Sequence, residues 1–429
     1  MEKLMHYVWH HRLWTPSMMR TVDGLRVDVL DPGLPNTGSG PDFFNAKMRI
    51  GDRMWAGNVE LHVRASDWGR HGHSSDRAYD SVVLHVVGVD DARVRRPDGS
   101  EIPQLLMPCA PDFRHRYDAM VGNVASELPC AADLPQCPSI YISDWLSALA
   151  FERLYRKSAR VAELVRRFEG DWGSAVFVVL ARALGFGTNA EPFERLALSL
   201  PLRMLLKHCD SSLTIEGILF GQAGFLDGQR ADKGENYYIA RLKQEHAFMA
   251  AKFGLDAPRQ LGWKTARMRP QNFPHRRLAT LAAMVASGFP IAYNIFGVSS
   301  EAEARSLFDV ELSGYWSRRY NFGTESAPAG RALSESSVSS LIINVVVPVL
   351  HAYATAYGRD DMRERAVALL QGLAPERNSV TRIFTAAGIA CGDAFTSQAM
   401  IELRRSYCEP RKCLYCRIGH RLLAKKARP

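Results

Sequence analysis

The spacing of hydrophobic and polar positions changes along this chain of 429 residues. From Thr21 to about Leu106, apolar and polar residues alternate in short runs separated by Gly, Pro, Asn and Asp, as in GLRVDVL, GNVELHV and SVVLHVVGV. Such alternation is typical of β-strands. From Tyr141 onward, apolar residues recur every three or four positions, as in ISDWLSALAFERLYRKSARVAELVRRF, which predicts helices. The pattern therefore predicts an α+β protein with a strand-rich N-terminal module followed by a large, mostly α-helical domain.

Breaks in this pattern give the predicted domain boundaries. We predict a strand-rich module over residues 1–127, beginning with a helix, then a linker over 128–140, where Cys and Pro cluster in LPCAADLPQCPS. A helical domain over 141–390 and a basic tail over 391–429 follow. No repeat of fixed period is present, which argues against a solenoid. The longest apolar stretch, Leu341 to Leu350, contains Asn344 and Pro348 and is too short to cross a bilayer, so no membrane span is predicted.

Composition narrows the class of protein. Hydrophobic residues make up 47% of the chain and charged residues 23%, as in a globular protein. The net charge of +9 is concentrated at the end, since residues 401–429 hold nine Arg or Lys and two Glu. This suits DNA or RNA as a partner, although a solvated basic tail is the commoner case. Eight cysteines without a signal peptide indicate a reducing cytoplasm.

The stretch GPDFFNAKMRIGDRMWAGNVELH carries the first candidate site. Strand alternation places Glu60 and His62 on one face of a strand. A turn near Gly51 folds this strand against the preceding one and can bring Asp42 close to Glu60. Two carboxylates in this arrangement can share Mg²⁺ or Mn²⁺. The alternative is that these are ordinary polar positions of a half-exposed strand.

The order Pro-Asp at residue 42, then Glu-x-His at residues 60–62, resembles the signature of the PD-(D/E)XK nucleases, with His62 where that superfamily usually has lysine. The core of that superfamily is a helix, a hairpin carrying the acids, and a further helix and strand. The resemblance implies metal-dependent phosphodiester hydrolysis, with Asp42 and Glu60 holding the ion and Glu2 of the first helix in support. A protonated histidine does part of the work of lysine, whereas a neutral one becomes a metal ligand.

A second resemblance covers more of the chain but implies no activity. The stretch from GPDFFNAKMRI through GNVELHVRASDWGRHGHSSDRAYDSVVLHVV is similar to an uncharacterised bacterial family, and we expect the likeness to continue to the C-terminal cysteines.

Histidines are dense after the Glu-x-His strand. His71 and His73 flank a glycine, so both imidazoles can turn toward one point, and Asp76 can serve as a further metal ligand. His85 lies in phase with Val83 and Val87 on an apolar strand face. We interpret His85 as a hydrogen-bonded core histidine.

The tail contains a second set of metal-ligating residues. Zinc is predicted at Cys408, Cys413 and Cys416, with Cys391 or His420 as the fourth ligand. Some PD-(D/E)XK nucleases carry an iron-sulfur cluster on four cysteines, three of them grouped near the C-terminus. The resemblance therefore leaves an iron-sulfur cluster as the alternative to zinc here. The alternative is that these cysteines are reduced and bind no metal.

Basic residues suggest where a nucleic acid would bind. Arginines lie beside Trp263 and Phe273 and around the tail cysteines, where they can contact phosphates while the aromatic rings stack on bases. Ion pairs with acids of the helical domain are the commoner use of such arginines. The candidates are Arg267, Arg269, Arg276, Arg277, Arg404, Arg405, Arg411 and Lys412.

Three functions fit these observations. The first is a metal-dependent nuclease, or a nucleic-acid-binding protein derived from one. The second is a non-catalytic nucleic-acid-binding or scaffold protein. The third is a metal-dependent hydrolase of a small molecule, centred on His71, His73 and Asp76. No phosphate-binding loop or dinucleotide fingerprint is present, so no nucleotide cofactor is predicted.

Overall fold

The structure is a computed structural model that describes residues 1–14, 19–96, 98–107, 111–122, 126–228, 236–258, 260–269, 272–288, 292–326 and 331–424. The chain forms two units. The sheet unit comprises Met1–Trp145 together with Arg404–Pro429, and the helical unit comprises Leu146–Leu403. The predicted α+β class is confirmed. The unit boundaries differ from the sequence boundaries, because the segment after Leu403 folds with the N-terminal module.

A six-stranded mixed sheet forms the centre of the sheet unit. The elements of this unit in chain order are α1 (Glu2–His10), β1 (Val27–Asp31), β2 (Leu34–Pro35), β3 (Phe43–Ile50), β4 (Arg53–Arg64), α2 (Asp67–Arg70), β5 (Val82–Val89), β6 (Gln104–Leu106) and α3 (Pro111–Gly122). Strands β1, β2 and β4 pair with β3 in antiparallel fashion, whereas β5 is parallel to β4 and β6 is parallel to β5.

The β3–β4 hairpin is the element that the sequence predicted most directly. Its turn lies at Gly51 and Asp52, and Gly51 has a φ of 57°, in the left-handed region that glycine adopts easily. Apolar residues of the hairpin pack with Met5 and Trp9 of α1 in one buried cluster. Packing on α1 and pairing with β5 hold the hairpin in place, so the positions of its polar side chains are set as well.

The helical unit is built from helices around an apolar core. Helix α4 begins in the sheet unit and continues into this one. The remaining elements are α5 (Trp172–Leu184), α6 (Ala190–Leu198), α7 (Leu202–Leu206), α8 (Ser212–Gln222), α9 (Asn236–Phe253), α10 (Pro274–Ala286), α11 (Ala292–Phe296), α12 (Glu301–Ser306), β7 (Arg319–Asn321), β8 (Thr324–Glu325), α13 (Glu335–Leu341), α14 (Val347–Tyr357), α15 (Asp360–Gly372), α16 (Ser379–Ala386) and α17 (Ala394–Leu403), with α4 at Ser139–Arg167.

One helical run in the described residues is long and apolar enough to cross a membrane by length and composition. It spans Glu335–Tyr357 and joins α13 to α14 through a π-helical turn at Ile342–Val346. Within its most apolar window, 67% is buried inside the protein. A core helix of the helical unit has this character, so the run is explained by packing.

The C-terminal segment returns to the sheet unit. After a π-helical turn at Arg404–Cys408, it ends in α18 (Arg417–Ala424), which buries Ile418, Leu422 and Leu423. The guanidinium of Arg116 in α3 donates a hydrogen bond to the carbonyl of Leu423 at 3.1 Å. The sequence predicted a separate tail, but the apolar face of α18 packs against other elements of the sheet unit.

Candidate metal centre

The hairpin brings Asp42 and Glu60 together at the edge of β3 and β4. The backbone N–H of Asp42 donates to Glu60 Oε2 at 3.0 Å, and the N–H of Leu61 donates to Asp42 Oδ2 at 2.9 Å. Each carboxylate is therefore oriented by the backbone of the opposite strand. Glu60 Oε1 makes neither of these bonds and faces the neighbouring histidines.

Three histidines converge beside Glu60. One ring nitrogen of each of His62, His71 and His73 lies within 4.8 Å of the other two. Glu60 Oε1 lies 3.5 Å from His62 Nε2 and 3.4 Å from His73 Nε2. We refer to Glu60, His62, His71 and His73 as the histidine centre. It offers three nitrogens and one oxygen, a donor set that suits a transition metal.

The turn after α2 explains how His71 and His73 face one point. Gly72 has a φ of 77°, so the chain reverses between the two histidines without a steric penalty. Trp68 of α2 is buried and anchors the turn. The Tyr79 ring stacks on the His73 ring with 3.7 Å between centroids. The sequence predicted this convergence, and the local backbone accounts for it.

Asp76, a predicted metal ligand, also caps a short helix beside the histidine centre. Its Oδ1 accepts a hydrogen bond from the N–H of Ala78 at 2.9 Å and caps the short 3-10 helix Arg77–Tyr79. The charge of Asp76 also acts on the His73 ring, where it opposes the lowering of the pKa by burial, so the carboxylate lies within electrostatic range of the histidine centre. Asp76 therefore stays a predicted ligand beside Glu60, whose Oε1 lies 3.4 Å from His73 Nε2.

His85 is a hydrogen-bonding partner of the histidine centre. Its Nε2 lies 2.9 Å from His62 Nδ1, and its side chain is fully buried. The predicted role as a hydrogen-bonded core histidine is confirmed, and its partner is a residue of the centre. The parallel pairing of β4 with β5 sets Glu60 opposite His85, so strand register decides this contact.

Burial dominates the electrostatics of the centre. It raises the pKa of Glu60 to about 8, with a further rise from nearby Asp42. It lowers the pKa of His62 to about 3, with further contributions from His73 and His71. At neutral pH the imidazole of His62 is therefore uncharged, so its short distance to Glu60 is not an ion pair. His62 Nε2 forms a hydrogen bond with His71 Nδ1 at 3.2 Å.

Helix α1 adds two groups on the far side of Asp42. His6 Nε2 lies 3.3 Å from Asp42 Oδ2 and 3.9 Å from Glu2 Oε1. Glu2 thus lies near the predicted acids, as the resemblance implied. Sequence reasoning missed His6, although its spacing of four residues from Glu2 on one helix was a usable signal.

Comparison with known proteins places the chain in a family. A family of proteins of unknown function, DUF2851, matches residues 2–379. The chain belongs to the DUF2851 family. The matched region includes Glu2, Asp42 and the whole histidine centre. It ends at residue 379, ahead of Cys391, and the predicted membership of an uncharacterised family is confirmed. No curated protein and no solved structure matches this DUF2851 chain.

A positive charge lies close to the centre of the DUF2851 chain. Arg70 is 65% exposed and pairs with Asp67. Its charge also contributes to the lowered pKa of His62, which shows that the guanidinium lies within electrostatic range of that ring. Because its side chain is largely exposed, Arg70 is accessible to an anionic ligand.

Two of the predicted nucleic-acid residues lie in the interior. Arg276 is 3% exposed and donates to the carbonyls of Trp316 and Arg319, while Arg277 is 2% exposed and donates to Asn272 Oδ1. Both support the packing of α10, and from there they cannot reach a nucleic acid. The exposed candidates are Arg267, Arg269, Arg405 and Lys412.

The remaining basic candidates tie the C-terminal segment to the chain ahead of α4. Arg404 pairs with Glu127 and Glu409, and Arg411 Nη2 donates to the carbonyl of Ser126 at 2.8 Å. These arginines have protein partners, which is the structural alternative that the sequence left open.

Cys391 and His420, the two residues predicted as the fourth ligand of the tail site, have different surroundings from the three cysteines. Cys391 belongs to the helical unit, where burial and nearby Asp393 raise the pKa of its thiol. His420 Nδ1 forms a hydrogen bond with the hydroxyl of Tyr7. Cys408, Cys413 and Cys416 lie buried together in the sheet unit.

Proposed function

We propose that the protein is a metal-dependent phosphodiesterase whose metal is bound by the histidine centre. The observation that carries the proposal is the convergence of three ring nitrogens, from His62, His71 and His73, within 4.8 Å of one another, with Glu60 Oε1 beside two of them. Imidazole nitrogens suit zinc and its first-row neighbours, whereas Mg²⁺ prefers oxygen ligands. We therefore place Zn²⁺ or Mn²⁺ here ahead of the Mg²⁺ that two shared carboxylates would favour.

The residues around the histidine centre have separate chemical roles in this proposal. A metal bound there polarises a phosphoryl oxygen and lowers the pKa of a bound water. Asp42 is held in place by the N–H of Leu61, and burial raises the pKa of its carboxyl, which suits a general base. His6 lies next to Asp42 and can take over its proton. His85 orients His62 through the hydrogen bond to Nδ1.

Two observations favour phosphodiesters as substrates. The order of elements from α1 through the β3–β4 hairpin to parallel β5 is the order that the nuclease resemblance implies. Arg70 supplies a positive charge beside the centre, as an anionic ester requires. His62 departs from the lysine of that superfamily, and in this proposal it serves as a metal ligand. The cytoplasm is the proposed location, in keeping with the free cysteines among the described residues.

A second candidate is a hydrolase of a small molecule at the same centre. Glu60, His62 and His73 are buried, whereas His71 is exposed. A largely buried centre with one exposed ligand admits a small ester more easily than a nucleic acid duplex.

The test separates metal binding from hydrolysis. Purified protein is stripped with a chelator, reloaded with Zn²⁺, Mn²⁺ or Mg²⁺, and assayed for bound metal by mass spectrometry. Hydrolysis is followed on bis(p-nitrophenyl) phosphate and on single- and double-stranded DNA and RNA. We expect His73→Ala to lose both metal and hydrolysis. Asp42→Asn should keep the metal and lose about 100-fold or more of the rate. His208→Ala, in the helical unit, is the control and should match the wild type.

Each outcome is decisive for one part of the proposal. Metal that binds equally to His73→Ala would refute the histidine centre. Metal-loaded protein that cleaves p-nitrophenyl esters of carboxylic acids but no phosphodiester would favour the second candidate. Salt-dependent binding of DNA or RNA without any cleavage would instead support a non-catalytic nucleic-acid-binding protein.

A further inference from the structure

The C-terminal segment contacts the chain just ahead of a further cysteine, Cys130. Arg411 donates to the carbonyl of Ser126, and Arg404 contacts the carbonyl and the carboxylate of Glu127, a few residues ahead of Cys130. The carbonyl of Cys130 accepts hydrogen bonds from the N–H groups of Asp133 and Leu134 at 3.0 Å each, which closes a tight turn. This turn and the three cysteines of the segment belong to the same sheet unit.

Four thiols interact with one another in this region. Cys408, Cys413 and Cys416 are buried, Cys130 is partly buried, and all four are free. Burial raises the pKa of Cys130 to about 12, and nearby Cys416 and Cys413 raise it further. The pKa of Cys408 is raised by burial and then by Cys130, Cys416 and Cys413. The four sulfur atoms therefore lie within electrostatic range of one another.

The loop from Cys413 to α18 is shaped to hold a sulfur atom. The N–H groups of Ile418 and Gly419 donate hydrogen bonds to the sulfur of Cys416 and lower its pKa against the effect of burial. A Cβ at Gly419 would overlap the carbonyl of Cys413, so only glycine permits this close approach. Backbone N–H donors directed at a sulfur stabilise a thiolate, which is the form that binds metal.

We propose that Cys130, Cys408, Cys413 and Cys416 bind an iron-sulfur cluster. Sulfur ligands of one zinc ion lie about 3.8 Å apart, given Zn–S bonds of about 2.3 Å in a tetrahedron. Among the described residues, no three thiols lie within 4.8 Å of one another. A cluster has several metal atoms, so its thiolate ligands can lie farther apart than those of one zinc ion.

The cluster would be a structural tie between distant parts of the chain. Cys130 precedes the helical unit, and the other three ligands follow it. A metal centre that joins them closes a loop around that whole unit, and its binding free energy adds to the stability of the sheet unit. This role is independent of the histidine centre and of the phosphodiesterase proposal.

The first experiment measures iron, acid-labile sulfide and zinc in the full chain purified without oxygen. We expect about two to four iron atoms per chain with matching sulfide. Single substitutions of each ligand by serine should lower the iron content about tenfold or more. Cys391→Ser and Cys209→Ser, in the helical unit, are the matched controls and should retain it. Zinc in place of iron, or full iron content in Cys130→Ser, would overturn the proposal.

A second measurement does not depend on variants that fold. The wild-type protein is alkylated before and after removal of iron by a chelator, and the modified cysteines are mapped by mass spectrometry. We expect the four ligands to be protected until iron is removed, while Cys209 and Cys391 react in both states. Equal alkylation of the four thiols in both states would contradict the proposed cluster.

Discussion

Glu60 connects two groups of side chains through its two oxygens. Oε2 accepts the N–H of Asp42, and Oε1 faces His62 and His73. Because the side chain is 5% exposed, water cannot replace either set of partners freely. A single carboxyl thus fixes the distance between Asp42, the proposed base, and the proposed metal ligands. At this scale the site depends on hydrogen bonds as much as on the ligands themselves.

The hydrogen bond from His85 to His62 gives the first prediction. We expect His85→Leu to weaken metal binding about 10- to 100-fold, because His62 loses the group that orients its ring. His85→Gln keeps a hydrogen-bonding group and should recover part of the affinity. Titration calorimetry measures the affinity, and thermal unfolding shows whether each variant is folded. Equal affinity in His85→Leu and the wild type would show that the contact does not position His62.

His275 in the helical unit gives a prediction about pH. Burial lowers its pKa to about 4, and the ring stacks on Phe225 with 4.0 Å between centroids. The unfolded chain binds a proton near pH 6.5, whereas the folded chain does not, so stability is lost as pH falls from 6.5 toward 4. The side chain is only partly buried, so we expect a loss of about 2 kcal/mol.

Denaturant unfolding at several pH values checks this expectation. His275→Phe retains an aromatic ring and removes the ionisable group, so the free energy of unfolding should depend less on pH in this range. An identical pH dependence in the variant and the wild type would exclude His275 as its source.

At the scale of elements, the contact between β4 and β5 determines the site. Strand β4 carries Glu60 and His62, and β5 carries His85. The two strands approach closely at Gly57, where an added Cβ would lie 2.6 Å from the carbonyl oxygen of Ser81 and overlap Val83. Glycine at this position therefore sets the distance between the strands on which the centre is built.

Gly57→Ala tests this dependence on strand distance. We expect the substitution to destabilise the protein by about 1 to 3 kcal/mol, since β4 must move away from β5. Metal binding should weaken as well, because His62 moves relative to His85. Gly372→Ala is the control, since nothing lies within 4 Å of its Cβ and α15 favours alanine. Denaturant unfolding of both variants provides the measurement, and equal stability would contradict the role of Gly57.

At the scale of the whole molecule, the two ends of the chain fold together. The hydroxyl of Tyr7 in α1 bonds to His420 of α18, and Arg116 of α3 bonds to the carbonyl of Leu423. The helical unit is inserted between these segments of the sheet unit. Because α18 buries its apolar face within the sheet unit, the C-terminal segment is part of that unit and adds to its stability.

Truncation after Leu403 tests this arrangement. We expect the sheet unit to lose hydrogen-exchange protection in α1 and α3, since α18 no longer covers them, while the helical unit keeps its protection. A chain ending at Ala424 is the control and should be protected like the wild type. Unchanged protection of α1 in the shorter chain would mean that α18 contributes nothing to the sheet unit.

The sequence by itself determined the α+β class, the hairpin at Gly51 and the convergence of His71 with His73. These features depend on alternation and on turns, which are local properties of the backbone. Tertiary structure alone decided that Glu60 faces the histidines, that Arg276 and Arg277 are buried, and that Cys130 belongs to the same unit as Cys408, Cys413 and Cys416. Such contacts join residues far apart in the chain, so they follow from packing and strand register, which residue spacing does not encode.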